Sequence, residues 1–228
     1  MVALVGLVKD YKMLALSNYE IAELAYSIER EDLAISGGLQ DQYAASFGGF
    51  NFIEFDRDRV IVNPLRIHKD TINELEHNLL LCYTGKSRRS DHIIDDQTQR
   101  LVSNAKDTVD ALAQQKELAV AMKNALLTGR LDDFGDLMDL AWHTKKKVSS
   151  RISNLQIDEF YEEARKKGAM GGKITGAGGG GFMMFYCEFQ KRHLVAEQLR
   201  RMGAVAAEFA FEPNGLQTWR ADDARSTQ

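Results

Sequence analysis

The sequence predicts an α+β protein. Several long stretches carry apolar residues at helical spacing, and a few short apolar runs have strand length. The two kinds of segment follow one another without the regular strand–helix–strand beat of a doubly wound sheet.

Taken in order, Met1 to about Leu14 reads as a buried helix entered part-way along. Met1-Val2-Ala3-Leu4-Val5-Gly6-Leu7-Val8 has the apolarity of a signal core, but no basic segment precedes it, Lys9, Asp10 and Lys12 interrupt it, and no cleavage-like site follows. Ser17 and Glu20 have capping-box spacing, and Ile21, Leu24, Ala25 and Ile28 continue at helical period. Gly37-Gly38 breaks that pattern, and Gln42–Ala45 predicts a helical turn. Phe50–Phe55 and Val60–Val62 predict a hairpin about Asp56-Arg57-Asp58. Asn78–Tyr83 predicts a third strand. Thr98–Leu127, Leu131–Val148 and Ile157–Lys167 then read as amphipathic helices, the last closed by Gly168. A strand from Phe182 to Cys187, a helix near Gln190–Met202 and a strand near Val205–Phe211 complete the chain.

Composition narrows the function classes. Net charge is −4 over 228 residues, which argues against a nucleic-acid surface. The run Lys145-Lys146-Lys147 reads as a solvated helix face. No span reaches the ~20 apolar residues of a membrane helix. Cys82 and Cys187 lie in apolar strand-like runs and read as buried free thiols in a reducing cytoplasm. The five histidines are scattered without zinc-ligand spacing.

Two glycine motifs are decoys. Gly176-x-Gly178-x-x-Gly181 matches the dinucleotide fingerprint, but a strand follows it where that fingerprint needs a helix N-terminus. Gly85-Lys86-Ser87 has the end of a phosphate-binding loop, but Leu80 stands where its first glycine belongs.

Two constellations remain. The run Gly176-Ala177-Gly178-Gly179-Gly180-Gly181 can turn several backbone N–H groups toward one anion, because glycine takes φ > 0 freely. A flexible linker is the alternative, although both flanks are apolar. The segment Glu29 to Gln42 places carboxylates at a helix end and a further one beyond a Gly-Gly turn. Phosphoryl transfer needs a metal, a charge cradle and a group orienting the attacking hydroxyl. A solvated helix terminus with Asp41 capping a turn explains the same residues.

Lys173-Ile174-Thr175-Gly176-Ala177-Gly178-Gly179-Gly180-Gly181 resembles the third motif of GHMP kinases, the group of galactokinase and of homoserine, mevalonate and phosphomevalonate kinases. Glu29 through Gln42 is similar, without a gap, to the galactokinase segment bearing a metal-binding glutamate and a catalytic aspartate twelve positions apart. Glu29-Arg30-Glu31-Asp32-Leu33, Gly37 through Ala45, Phe47 through Ile53, Leu81 through Arg88 and Gly215 through Arg220 resemble the heptose 7-phosphate kinases of that family.

The resemblance implies a GHMP kinase fold: the remainder of an S5-like N-terminal domain over residues 1–70, and a ferredoxin-like C-terminal domain with added helices over 71–228. It implies ATP and Mg²⁺, with transfer to the anomeric hydroxyl of a heptose 7-phosphate. It assigns Asp41 to the acceptor hydroxyl and Glu29 to the metal, with Thr175, Gly176, Ala177, Gly178, Gly179, Gly180 and Gly181 on the phosphates. Gly37, Gly38 and Gln42 would shape the sugar pocket. Lys86 and Arg88 would meet the distal phosphate, or else lie in a solvated loop. The family begins with roughly a hundred more residues, a length in the range of a domain. They include a Gly-Leu-Gly-Ser-Ser phosphate loop, so the 228-residue chain by itself is expected to be inactive. A different GHMP sugar kinase, or a non-catalytic binding module, are the other readings. The expected location is cytoplasmic, with no nucleic acid or membrane partner, and the resemblance allows a homodimer. Trp142 and Trp219 read as core or interface packing, and Gly171-Gly172 as a hinge or tight turn.

Overall fold

The computed structural model describes residues 1–85, 91–103 and 106–221. The chain divides into two compact units, one formed by Met1–Leu65 with the chain from Phe211 onward, the other by Arg66–Ala210.

The first unit begins with α1 (Val2–Lys12), which stops where Met13 turns left-handed at φ 54°. Helix α2 (Asn18–Ser27) starts on the expected capping box: the Glu20 N–H donates to Ser17 Oγ at 3.3 Å and the Ser17 N–H to the Glu20 carboxylate at 2.7 Å. The α2 axis continues into a wider π-turn, Ile28–Asp32. Helix α3 (Gln40–Phe47) is longer than the single turn expected. Strands β1 (Asn51–Phe55) and β2 (Val60–Pro64) form the expected antiparallel hairpin, with Ile53 opposite Val62.

Val2, Val5, Ile21 and Ala25 bury one face of α1 against α2, with Leu216 from the chain end packed on them. Ala22, Tyr43 and Val62 make a second small core.

The chain end is fastened by backbone bonds, from the Gly49 N–H to Glu212 O (2.9 Å) and from the Leu216 N–H to Ser46 O (3.2 Å). Gly48 sits beneath it at φ 64°, where an added Cβ would come within 2.1 Å of the Asn214 carbonyl carbon. Gly48→Ala therefore meets both left-handed strain and a backbone clash, and is expected to destabilise this unit by at least ~2 kcal/mol. Limited proteolysis near residues 211–216 should accelerate with it; an unchanged melting curve would contradict the account.

The second unit carries α4 (Lys69–Asn78), β3 (Leu79–Tyr83), α5 (Asp91–Val102), α6 (Lys106–Leu127), α7 (Leu131–Val148), α8 (Leu155–Lys167), β4 (Ala169–Ile174), β5 (Phe182–Cys187), α9 (Arg192–Arg201) and β6 (Val205–Ala207). Its sheet runs β4-β5-β3-β6, with every pair antiparallel. Strand, helices, two strands, helix, strand is the ferredoxin-like succession, with α5 to α7 as additions.

Four expectations are corrected here. The periodicity across residues 98–127 belongs to two helices, α5 and α6. The last strand ends at Ala207, because the following chain leaves β3 and Phe211 joins Phe50 of the first unit at a ring separation of 4.8 Å. Gly171 and Gly172 form no hinge; they lie inside β4, where a Cβ on Gly171 would meet Gly135 O of α7 at 2.1 Å. Trp219 is 83% exposed, so it packs in no core.

Trp142, Ile152, Ile157, Tyr161, Ile174 and Phe185 are among the fully buried side chains of the second unit. Cys82 and Cys187 are free and buried, and burial raises their thiols to about 11 and about 12. Both are therefore unreactive packing groups. No described helix is long and apolar enough to cross a membrane.

Candidate active site

The acidic segment of the first unit is folded around Arg30. The Arg30 guanidinium donates to Ile35 O at 3.1 Å and to Gly38 O at 3.3 Å, drawing residues 35–38 back over the π-turn. A Cβ on Gly37 would fall 2.4 Å from that guanidinium, so a larger residue there would have to displace the end of the Arg30 side chain, while Gly38 faces open space. Replacing Arg30 with Met removes both bonds, each worth about 1–2 kcal/mol. Amide hydrogen exchange across residues 35–39 is expected to quicken at least tenfold, with α1 unaffected. Equal protection in both proteins would show that the loop holds without the guanidinium.

Glu29 lies on the same π-turn. Its carboxylate accepts from the Gln42 side-chain amide in a very short bond, and pairs with the Met1 amino group at 3.3 Å and Arg30 at 3.8 Å. Burial acts to raise the Glu29 carboxyl, but the Gln42 amide, the Met1 amino group and Arg30 outweigh it and hold the acid below its ordinary range.

Gln42 is 3% exposed and follows Asp41 in the first turn of α3, so the Glu29–Gln42 bond sets Glu29 beside the turn that bears Asp41. Asp41 is exposed, and among the described residues its carboxylate has no hydrogen-bond or ionic partner. Two buried atoms of this cluster, Arg30 Nε and Gln42 Oε1, also lack partners. Glu29, Asp41, Gln42, Gly37 and Gly38 are thus gathered on one corner.

The glycine loop belongs to the second unit and joins β4 to β5. It is a built turn, not a linker. Thr175 donates its N–H (2.9 Å) and hydroxyl (3.1 Å) to Phe182 O, and Thr84 donates its N–H and hydroxyl to Gly181 O, each at 2.9 Å. The Gly179 N–H donates to Ile152 O at 2.8 Å, and Asn154 Nδ2 to Gly179 O at 3.2 Å. Gly176, Gly178, Gly179, Gly180 and Gly181 all have positive φ. The amides of Thr175 and Gly179 are consumed in holding the loop. Those of Gly176, Ala177, Gly178, Gly180 and Gly181 make no hydrogen bond among the described residues.

The basic run on α7 is not the uniformly solvated face expected. Only Lys147 is exposed; Lys146 pairs with Asp158 at 3.2 Å, and the half-buried Lys145 donates to Gly176 O at 2.5 Å. Lys86 and Arg88 lie outside the described residues.

Sequence reasoning missed Arg30 as the organiser of the acidic corner. Its position directly after Glu29 was visible, but nothing local showed that it reaches eight residues onward.

Two profiles of one family match the chain: "GHMP kinases N terminal domain" over residues 1–49 and "GHMP kinases C terminal" over 118–205, together more than half of it. The chain belongs to the GHMP kinase family. This GHMP kinase chain is 40% identical over 220 residues to the D-glycero-alpha-D-manno-heptose 7-phosphate kinase of Campylobacter jejuni, a match covering 95% of the chain and 64% of that relative. A solved D-glycero-D-manno-heptose 1-phosphate kinase from Bacteriodes thetaiotaomicron superposes with a TM-score of 0.74 at 33% identity, covering 96% of the chain and 61% of that structure. Lactococcus lactis galactokinase, solved with galactose, gives 0.72 at 17% identity, covering 94% and 64%, a likeness of fold alone. The chain therefore spans under two thirds of these relatives' length.

Proposed function

We propose that the chain is the greater part of an ATP-dependent sugar kinase that phosphorylates the anomeric hydroxyl of a heptose 7-phosphate. The observation that carries this reading is the acidic corner of the first unit: a partnerless, exposed Asp41 one residue from the amide that anchors Glu29. Asp41 can accept or orient the acceptor's hydroxyl proton, because no other described group competes for its oxygens. The open backbone at Gly38 leaves room for a sugar ring beside it.

Among the described residues, no group of three or more His, Cys, Asp or Glu side chains is arranged to hold a metal alone. Mg²⁺ is commonly held by one or two carboxylates together with substrate phosphates, so Glu29 fits it as a single protein ligand. When bound, Mg²⁺ would offset phosphate charge. The amides of Gly176, Ala177, Gly178, Gly180 and Gly181, which make no hydrogen bond among the described residues, are the phosphate donors of this reading.

The 228 residues contain no Gly-Leu-Gly-Ser-Ser segment, so the chain by itself is expected to transfer little or no phosphate. The assay therefore compares the chain with a chimera that adds the part of the Campylobacter relative lying outside the match. Heptose 7-phosphate, galactose and mevalonate are offered with ATP and Mg²⁺. The chimera is expected to phosphorylate heptose 7-phosphate at least a hundredfold faster than the other two. A preference for galactose would reassign the acceptor, and a folded chimera without any transfer would leave a binding module as the better reading.

A further inference from the structure

The chain between α7 and α8, residues 149–154, forms the backing of the glycine loop. The Gly179 N–H donates to Ile152 O at 2.8 Å and Asn154 Nδ2 donates to Gly179 O at 3.2 Å, so both backbone groups of Gly179 are held from here. Gly178 presses on the same segment: at φ 127°, a Cβ there would lie 2.8 Å from Ile152 O. The direction in which the loop presents its neighbouring amides therefore follows the placement of Ile152.

What places Ile152 comes from another helix. Ser149 is 1% exposed and ends α7 in extended backbone, at φ −157° and ψ 138°. Its hydroxyl donates to the Asp96 carboxylate of α5 at 2.5 Å and accepts the Arg151 N–H at 3.1 Å, while its carbonyl accepts the Ile152 N–H at 3.3 Å. Arg151 Nε stands 3.8 Å from the same carboxylate, and Arg100 Nε donates to it at 3.1 Å from the next turn of α5. The Ser149 hydroxyl outweighs burial and, with the Arg100 and Arg151 charges, holds the Asp96 carboxyl below its ordinary range. Asp96 is thus an ionised acceptor on α5 that fixes the first residue of the backing segment. A buried hydroxyl that lost this acceptor would be left unmet, so the segment's shape depends on α5.

We propose that Asp96 and Ser149 are positioning residues: acting through Ile152, they set the amides of the glycine loop in place. That this placement serves phosphoryl transfer rests on the kinase reading; that the tether sets the loop does not.

Backbone amide exchange in the 228-residue chain, resolved by residue with NMR, tests the tether. Asp96→Ala removes the acceptor and leaves a residue that helices favour, so α5 should persist. Exchange at Gly179 is expected to quicken about tenfold, while Thr84, which holds the far end of the loop, stays within about twofold. Asp96→Asn keeps an acceptor oxygen for Ser149 and should recover most of the protection. Ser149→Ala should be no milder than Asp96→Ala, and the double variant no worse than Ser149→Ala, because both deletions break one link. Unchanged exchange at Gly179, equal quickening at Thr84, or additive effects in the double variant would overturn the proposal. In the chimera, Asp96→Ala should lower kcat about fivefold with KM for heptose 7-phosphate within about twofold, and Asp96→Asn should restore it. Full kcat beside faster Gly179 exchange would reduce the pair to a structural brace and overturn the positioning role. An unsubstituted chimera without transfer would sink the kinase reading, and the exchange result alone would then decide the tether.

Discussion

Asp41→Asn is expected to lower phosphoryl transfer by the chimera by ~10²–10⁴-fold, the usual worth of a positioned general base. The substitution keeps the size of the side chain and removes only its ability to take a proton. Its structural cost should be small: Asp41 is exposed and has no described partner to lose, and an acid in the first turn of a helix contributes ~0.3–1 kcal/mol. The melting temperature should therefore move by no more than a few degrees. The fall should appear in kcat, with KM for heptose 7-phosphate changed less than about fivefold, if Asp41 acts on the reacting hydroxyl and not on general binding. A variant retaining a third of the activity would remove Asp41 from the chemistry. A loss confined to KM would make it a binding group.

Trp142→Ala is expected to have the largest effect on stability, a loss of about 3–5 kcal/mol, enough to threaten the fold of the second unit. Trp142 is 0% exposed and lies 6.0 Å from the Tyr161 ring, among the side chains that join α7 and α8 to the sheet. Its indole Nε1 is buried without a partner, so part of its apolar gain is offset by an unmet donor. Trp142→Phe, which discards that donor while keeping an aromatic ring, should lose much less than the alanine variant. Chemical denaturation would check the pair: equal midpoints for Ala and Phe would show that the ring contributes little.

The elements read correctly from sequence are those whose chemistry is local. The Ser17–Glu20 box starts α2, Gly168 ends α8 at φ 111°, and the paired apolar runs of β1 and β2 meet in a hairpin. Helix α4 escaped because it is a ten-residue, mostly polar segment that buries only Leu75 and Asn78. The family motifs made Glu29, Asp41 and the glycine run visible as candidates. The parts that depend on distant contacts were not legible. Arg30 reaches Gly38, Lys145 reaches Gly176 across thirty-one residues, and Ile152 receives the Gly179 amide. The run of three lysines shows the difficulty, since one polar triplet on a helix is split by the sheet it packs near into a loop anchor, an ion-pair partner and a solvated residue.

The fastening of residues 211–216 onto Gly48 and Ser46 has a consequence for biogenesis. The first unit is sewn from two stretches with residues 66–210 between them, so a ribosome releases its opening helices long before the strap that completes them. The second unit is contiguous and can close first, while the early helices wait with Leu216 absent from their core. Chaperone dependence during translation should accordingly centre on α1 and α2.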